Sequence, residues 1–114
     1  MKDCLFCKIV NGEIPSNKAF EDQKLVVFHD ISPVAPVHVL IVPKKHLKSL
    51  NEVGPEDADL IAHVFKVAAQ VAAELGVSEN GYRVVNNCGK DGGQTVDHLH
   101  FHLLGGRYLD WPPG

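Results

Sequence analysis

The stretch Asp97-His98-Leu99-His100-Phe101-His102-Leu103-Leu104 carries three of the chain's seven histidines, at every second position. Along a β-strand successive side chains point to opposite faces. His98, His100 and His102 would then share one face, and Leu99, Phe101 and Leu103 the other. On a helix the same imidazoles would fan through about 200° and leave no coherent apolar stripe. The pattern therefore predicts a strand that presents a row of imidazoles over an apolar backing.

Three uses of such a row compete. Structural histidines would each need hydrogen-bond partners, and protonated neighbours at strand spacing would repel. A metal site could use the imidazoles, but His98 and His102 would lie about 13 Å apart along a flat strand, a long reach for one ion. Acid–base and nucleophilic work on phosphorus is the third. The loop just upstream favours it: Gly89, Gly92 and Gly93 would let backbone N–H groups approach an anion, and Gln94 and Thr95 would add side-chain donors.

One hundred and fourteen residues fit a single domain, 1–114, with a core that needs no disulfides. The three cysteines are an odd number, against a disulfide framework, although Cys4 and Cys7 form a C-x-x-C. Cys88 reads as a small residue closing a strand. A net charge of −3 gives no basic surplus for nucleic-acid binding. No stretch approaches the roughly 20 apolar residues of a membrane span, and Met1-Lys2-Asp3-Cys4 is not a signal-peptide start. The expectation is a cytoplasmic protein that binds neither nucleic acid nor membrane.

In chain order, residues 4–10 suit a short helix ended by Asn11-Gly12. Residues 18–29 read as a hairpin turning at Glu21-Asp22-Gln23, and 30–36 as an extended loop. His38–Val42 reads as a buried strand stopped by Pro43. Residues 55–75 form the long helix, with Pro55 in its first turn and Gly76 as its cap. Its core face would be Ile61, Val64, Phe65, Ala68, Val71, Ala72 and Leu75, with His63 on the wet side. Residues 81–87 give a further strand before the glycine-rich loop. The sum is an α+β domain on a five-stranded antiparallel sheet with one long and one short helix.

His98-Leu99-His100-Phe101-His102-Leu103-Leu104, preceded by Gly92-Gly93-Gln94-Thr95-Val96, resembles the signature of the histidine-triad (HIT) family. The resemblance continues through Glu13-Ile14-Pro15, His29-Asp30-Ile31-Ser32-Pro33, Ala35-Pro36, His38, Pro43-Lys44-Lys45-His46 and Leu104-Gly105-Gly106-Arg107. The closing Trp111-Pro112-Pro113-Gly114 is similar to the Hint-type branch, the purine-nucleoside phosphoramidases. The resemblance implies a homodimer with one continuous sheet, and hydrolysis of the P–N bond of adenosine or guanosine 5′-phosphoramidates to a nucleoside monophosphate and an amine. His100 would carry the nucleotidyl intermediate, His102 and Thr95 would serve the α-phosphate and leaving group, and His38 the proton relay. Asp30 would hold the ribose, and Asn87 with Gly93, Gln94 and Thr95 the phosphate. Phe6, Ile9, Ile14, Phe28 and Ile31 would line the base pocket.

No cofactor is required for that chemistry. Some bacterial relatives hold zinc through residues matching Cys4, Cys7, His46 and His98, a set consistent with a closed structural site. If zinc binds, His98 orients its neighbours and leaves the protons to His38 or His102. Two departures stand out: Thr95 where many relatives have serine, and Asp97 where they often have an aromatic residue. The rival functions are a dinucleoside polyphosphate hydrolase and a non-catalytic nucleotide-binding scaffold.

Overall fold

The computed structural model describes residues 3–114. Met1 and Lys2, part of the stretch on which the expectation of no leader rests, lie outside the described residues. Five strands form one antiparallel sheet: β1 (Lys18–Glu21), β2 (Leu25–His29), β3 (Val37–Pro43), β4 (Tyr82–Val85) and β5 (Phe101–Gly105). Their spatial order is β1-β2-β3-β5-β4, so β3 and β5 lie at the centre and β4 at an edge. The short helix α1 (Leu5–Val10) and the long helix α2 (Ala58–Glu74) complete the expected α+β architecture. No helix among the described residues is long and apolar enough to cross a membrane.

Alternation on β2, β3 and the segment leading through β5 builds two cores. Leu25, Val27, Val39, Ile41, Leu99, Phe101 and Leu103 face α2 and pack on Val64, Val67, Ala68, Val71 and Ala72. Val26, Phe28, Leu40 and Val42 point the opposite way and pack on Phe6 and Ile9 of α1. The helix boundaries follow local chemistry. The Cys4 sulfur caps α1 by accepting the Cys7 N–H, and Gly12 leaves the helix at φ +78°. Gly76 does the same for α2 at φ +79°, the left-handed conformation that glycine adopts without a Cβ penalty.

Several expectations need correction. The α-helix starts at Ala58, because residues 55–57 form a tighter 3-10 turn in which Asp57 accepts the Gly54 N–H at 3.0 Å. The buried stripe of α2 is rotated from the expected one: Val67 is buried, whereas Phe65 is 53% exposed and only edges Phe101, centroids 6.0 Å apart. His63 is not simply solvated. Its Nε2 bonds Asp22 at 2.6 Å, pinning α2 to the β1–β2 turn. Burial alone would raise the Asp22 pKa, but this bond and the amides of Lys24 and Leu25 outweigh it and lower it. Finally, strand pairing on β5 begins at Phe101, so His98 and His100 lie in the stretch entering the strand and only His102 is on the ladder.

Candidate active site

The histidine row shares a face with α1 because the alternation survives beyond the paired strand. Leu99, Phe101 and Leu103 go to the α2 core, while the rings of His98 and His100 meet Phe6 edge-on at 6.0 and 4.9 Å. His38 joins them from β3. On the pairing register His38 lies opposite Leu104 and Leu40 opposite His102, so His38 and His102 are diagonal neighbours on one face.

Backbone contacts decide which ring nitrogen of each histidine carries a proton. For His100, Nδ1 lies 2.7 Å from the His98 carbonyl oxygen. A carbonyl only accepts, so Nδ1 carries the hydrogen and Nε2 keeps its lone pair. The His100 carbonyl is in turn held by the Asn86 amide at 2.9 Å. For His38, the Val34 N–H donates to Nδ1 at 3.1 Å, so the neutral ring is protonated on Nε2. That Nε2–H points at His102 Nδ1, 2.9 Å away, with an Asp30 carboxylate oxygen at 3.4 Å. His102 Nδ1 is thereby an acceptor, and its own proton sits on Nε2.

Asp30, His38 and His102 bring three donor atoms within 4.8 Å of one another, close enough to hold a cation. The tautomers argue otherwise. A ligand needs a lone pair on His38 Nε2, and the Val34 N–H forces the proton there. The hydrogen bonds join the trio in a chain along which a proton can pass. Burial lowers the pKa of His38 against the opposing charge of Asp30. Burial, then His100 and His38, lowers that of His102 to about 4. Burial also lowers that of His100, countered by the His98 carbonyl and Asp30. Burial thus favours the neutral form of all three rings in the free protein.

The first member of the row, on the same face, has different partners. His98 is fully buried, and its Nε2–H donates to the Pro43 carbonyl at 2.7 Å. The lone pair on Nδ1 is left facing Cys4 Sγ at 3.2 Å, Cys7 Sγ at 3.5 Å and His46 Nδ1 at 3.1 Å. Cys7 Sγ is 3.2 Å from His46 Nδ1. Ligands on a tetrahedral zinc would stand about 3.6 Å apart for sulfur–nitrogen pairs and ~3.3 Å for nitrogen pairs. The cluster already has those spacings to within about 0.4 Å, and its donor set suits zinc. Burial and the neighbouring Cys4 raise the Cys7 pKa to about 11. The Cys7 thiol thus resists ionising unless a cation joins it.

The remaining predicted residues divide. Thr95 is exposed, and its N–H makes no hydrogen bond among the described residues. Gln94 is spent inside the loop: its amide donates to the Lys48 and Val96 carbonyls and accepts from the Gly89 N–H. These bonds brace the loop and occupy both the oxygen and the nitrogen of the Gln94 amide. The Gly93 N–H likewise bonds Lys90, and Asn87 donates to the Gly92 carbonyl at 2.8 Å. Asp30 accepts the Ser32 N–H at 2.7 Å and keeps its second oxygen toward His38. Phe6, Ile9 and Phe28 lie in the α1 core, Ile14 at its margin, and Ile31 is 98% exposed beside Asp30. Asp97 is exposed and lines an open recess of about 660 Å³ with Lys48, Glu52, Lys90 and Thr95. Sequence reasoning missed Asn86, which stands directly before the singled-out Asn87. No sequence signal separates a loop-bracing asparagine from one that holds the His100 carbonyl.

Comparison with known proteins agrees with the geometry. Residues 11–109 match the model of the HIT domain. A HIT-like protein of Synechocystis sp. is 48% identical, with 99% of this chain and 98% of that protein covered. A HIT family hydrolase from Legionella pneumophila superposes with a TM-score of 0.97 at 51% identity, covering 98% of this chain and 100% of that one. A histidine triad nucleotide-binding protein from Candida albicans superposes at 0.83 with 38% identity, covering 96% and 83%.

Proposed function

Because this chain belongs to the HIT-domain family, we propose that it is a hydrolase that cleaves the P–N bond of adenosine or guanosine 5′-phosphoramidates. The relatives whose names include hydrolase and nucleotide binding support the class of reaction. The observation that carries the reading is the His100 tautomer: a buried imidazole whose Nδ1–H is taken by a carbonyl has a nucleophilic nitrogen at Nε2.

His100 Nε2 attacks phosphorus and forms a P–N bond to the ring as the bond to the departing amine breaks. The amine nitrogen keeps the electron pair and takes a proton, without which it leaves poorly. His102 supplies it from Nε2. An anionic phosphate beside the His38–His102 pair restores the stabilisation that burial removes, so the pair takes up one proton with the substrate. Water then attacks the nucleotidyl-histidine, giving its proton back to the pair as the P–Nε2 bond breaks. The products are a nucleoside monophosphate and an amine, with His100 restored. Thr95 offers its hydroxyl and N–H to the phosphate, Asp30 the remaining lone pairs of its carboxylate to the ribose, and Ile31 with Ile14 an apolar wall to the purine.

Zinc, when bound by Cys4, Cys7, His46 and His98, would supply a cross-link between α1 and the triad and no reacting group. The homodimer is part of the same reading: β4 is an edge strand paired on one side only, with β5, and Tyr82 on it and Phe65 on α2 are exposed. A panel of adenosine and guanosine phosphoramidates, with diadenosine polyphosphates as competitors, tests the function. Turnover of the polyphosphates with none of the phosphoramidates would end it.

A further inference from the structure

His98 links the two halves of the site through one residue. Its ring belongs to the Cys4/Cys7/His46 cluster, and its carbonyl takes the His100 Nδ1–H at 2.7 Å. We propose that metal binding at this cluster sets the orientation and tautomer of His100, so that His98 is a positioning residue for the nucleophile. The proposal rests on His100 being the nucleophile.

Two of the contacts that hold His100 trace back to the cluster. The His98 carbonyl fixes its Nδ1–H. Phe6, set on α1 between Cys4 and Cys7 in sequence, lies edge-on to the His100 ring at 4.9 Å and to the His98 ring at 6.0 Å. The Asn86 amide on the His100 carbonyl and the edge-on His102 ring, centroids 5.2 Å apart, are independent of the cluster. The His98 ring is gripped at both nitrogens, by Pro43 at Nε2 and by the cluster at Nδ1. With a cation joining the four donors, neither the ring nor the adjoining carbonyl can turn. Without it, the His98 Nδ1 is held only by hydrogen bonds from the Cys4 thiol or from His46 in its Nδ1–H tautomer, 3.2 and 3.1 Å away. Such bonds restrain the His98 backbone and α1 less firmly than four bonds to one cation. Each of these two elements carries a contact to His100. A His100 released from the His98 carbonyl can carry its proton on Nε2, which takes the lone pair away from phosphorus.

The test uses the full chain labelled with nitrogen-15 in its histidines. It is compared zinc-loaded and zinc-stripped at one neutral pH, with zinc content measured and folding checked by circular dichroism. Ring nitrogen shifts report the His100 tautomer, assigned by its loss in His100→Ala. The loaded protein should show only the Nδ1–H form, and the stripped protein a mixture. The kcat for a phosphoramidate should fall roughly 10- to 100-fold on stripping, with KM changed much less, and recover on adding zinc back. Should stripping unfold the chain, Cys7→His keeps four nitrogen or sulfur donors. In that variant the Nδ1–H fraction should track zinc occupancy during a titration. A folded, zinc-free protein whose His100 stays wholly in the Nδ1–H form would overturn the proposal, as would a Cys7→His tautomer indifferent to zinc. Lack of turnover in loaded protein with the expected tautomer would count against the phosphoramidase reading instead.

Discussion

The Nδ1–H of His100 bonds the main-chain carbonyl of His98, two residues back, at 2.7 Å. This bond separates a nucleophile from an ordinary buried imidazole, because it fixes the lone pair on Nε2. Replacing His100 by alanine should lower phosphoramidate turnover on the order of 10⁴-fold or more. Nucleotide binding should remain, since Thr95, Asp30 and Ile31 are untouched. Rapid-quench mass spectrometry of the unaltered protein should reveal a nucleotidyl adduct that the variant lacks. An adduct that persists in the variant would place the nucleophile elsewhere.

The Val34 N–H makes His38 a donor toward His102, so His38 matters in proportion to how badly the leaving group needs a proton. His38→Ala should slow release of an alkylamine by about 10²- to 10³-fold. For a nucleotide ester of p-nitrophenol, which departs as a stable anion, the loss should be under about tenfold. Equal losses for both leaving groups would show that His38 acts only through packing.

The lowered pKa of His102, about 4, gives a sign as well as a position. The unfolded ring binds protons near pH 6.5 and the folded ring does not until near pH 4. Between those values the unfolded state holds more protons, so stability is full above pH 6.5 and is lost as pH falls toward 4. Bound phosphate works in the opposite direction by favouring the charged ring. The methyl ester of AMP, singly charged across this range, should therefore bind with net proton uptake at pH 6. Calorimetry in buffers of different ionisation enthalpy measures it, and His102→Gln should remove most of the uptake.

The two-residue alternation of His98–Leu103 was enough to place the row opposite the α2 core, because the pleat continues through backbone that is merely extended. It could not say where pairing starts, since an extended lead-in and a ladder share the same period. That missing boundary hid what makes the three histidines unequal: off the ladder, the His98 carbonyl is free to serve a side chain. The α2 stripe was read one step off for a related reason. Phe65 and Val67 both border a periodic apolar face, and only the sheet decides that the smaller residue goes under it. Gln94 and Asn86 turned on hydrogen-bond partners distant in sequence, which composition does not encode.

The loop between β4 and β5 offers a test of whether bracing, rather than direct donation, is how Gln94 and Asn87 serve a phosphate. A Cβ at Gly92 would lie 2.4 Å from the Cys88 carbonyl oxygen and 2.9 Å from its nitrogen. Both are backbone atoms, so no side chain can swing aside and the loop itself must open. Opening it strains the Asn87-to-Gly92 bond and the Gln94 bond to Gly89, and shifts the backbone that carries Thr95. Gly92→Ala should therefore raise KM at least about tenfold, and cost about 1–3 kcal/mol of stability, as overpacking does. Gly114→Ala, where a Cβ meets nothing within 4 Å, is the control. Since His100 is held from His98, Phe6 and Asn86 rather than from residues 87–95, the adduct should still form at saturating substrate. A variant that binds normally but forms no adduct would show instead that the loop acts on the nucleophile.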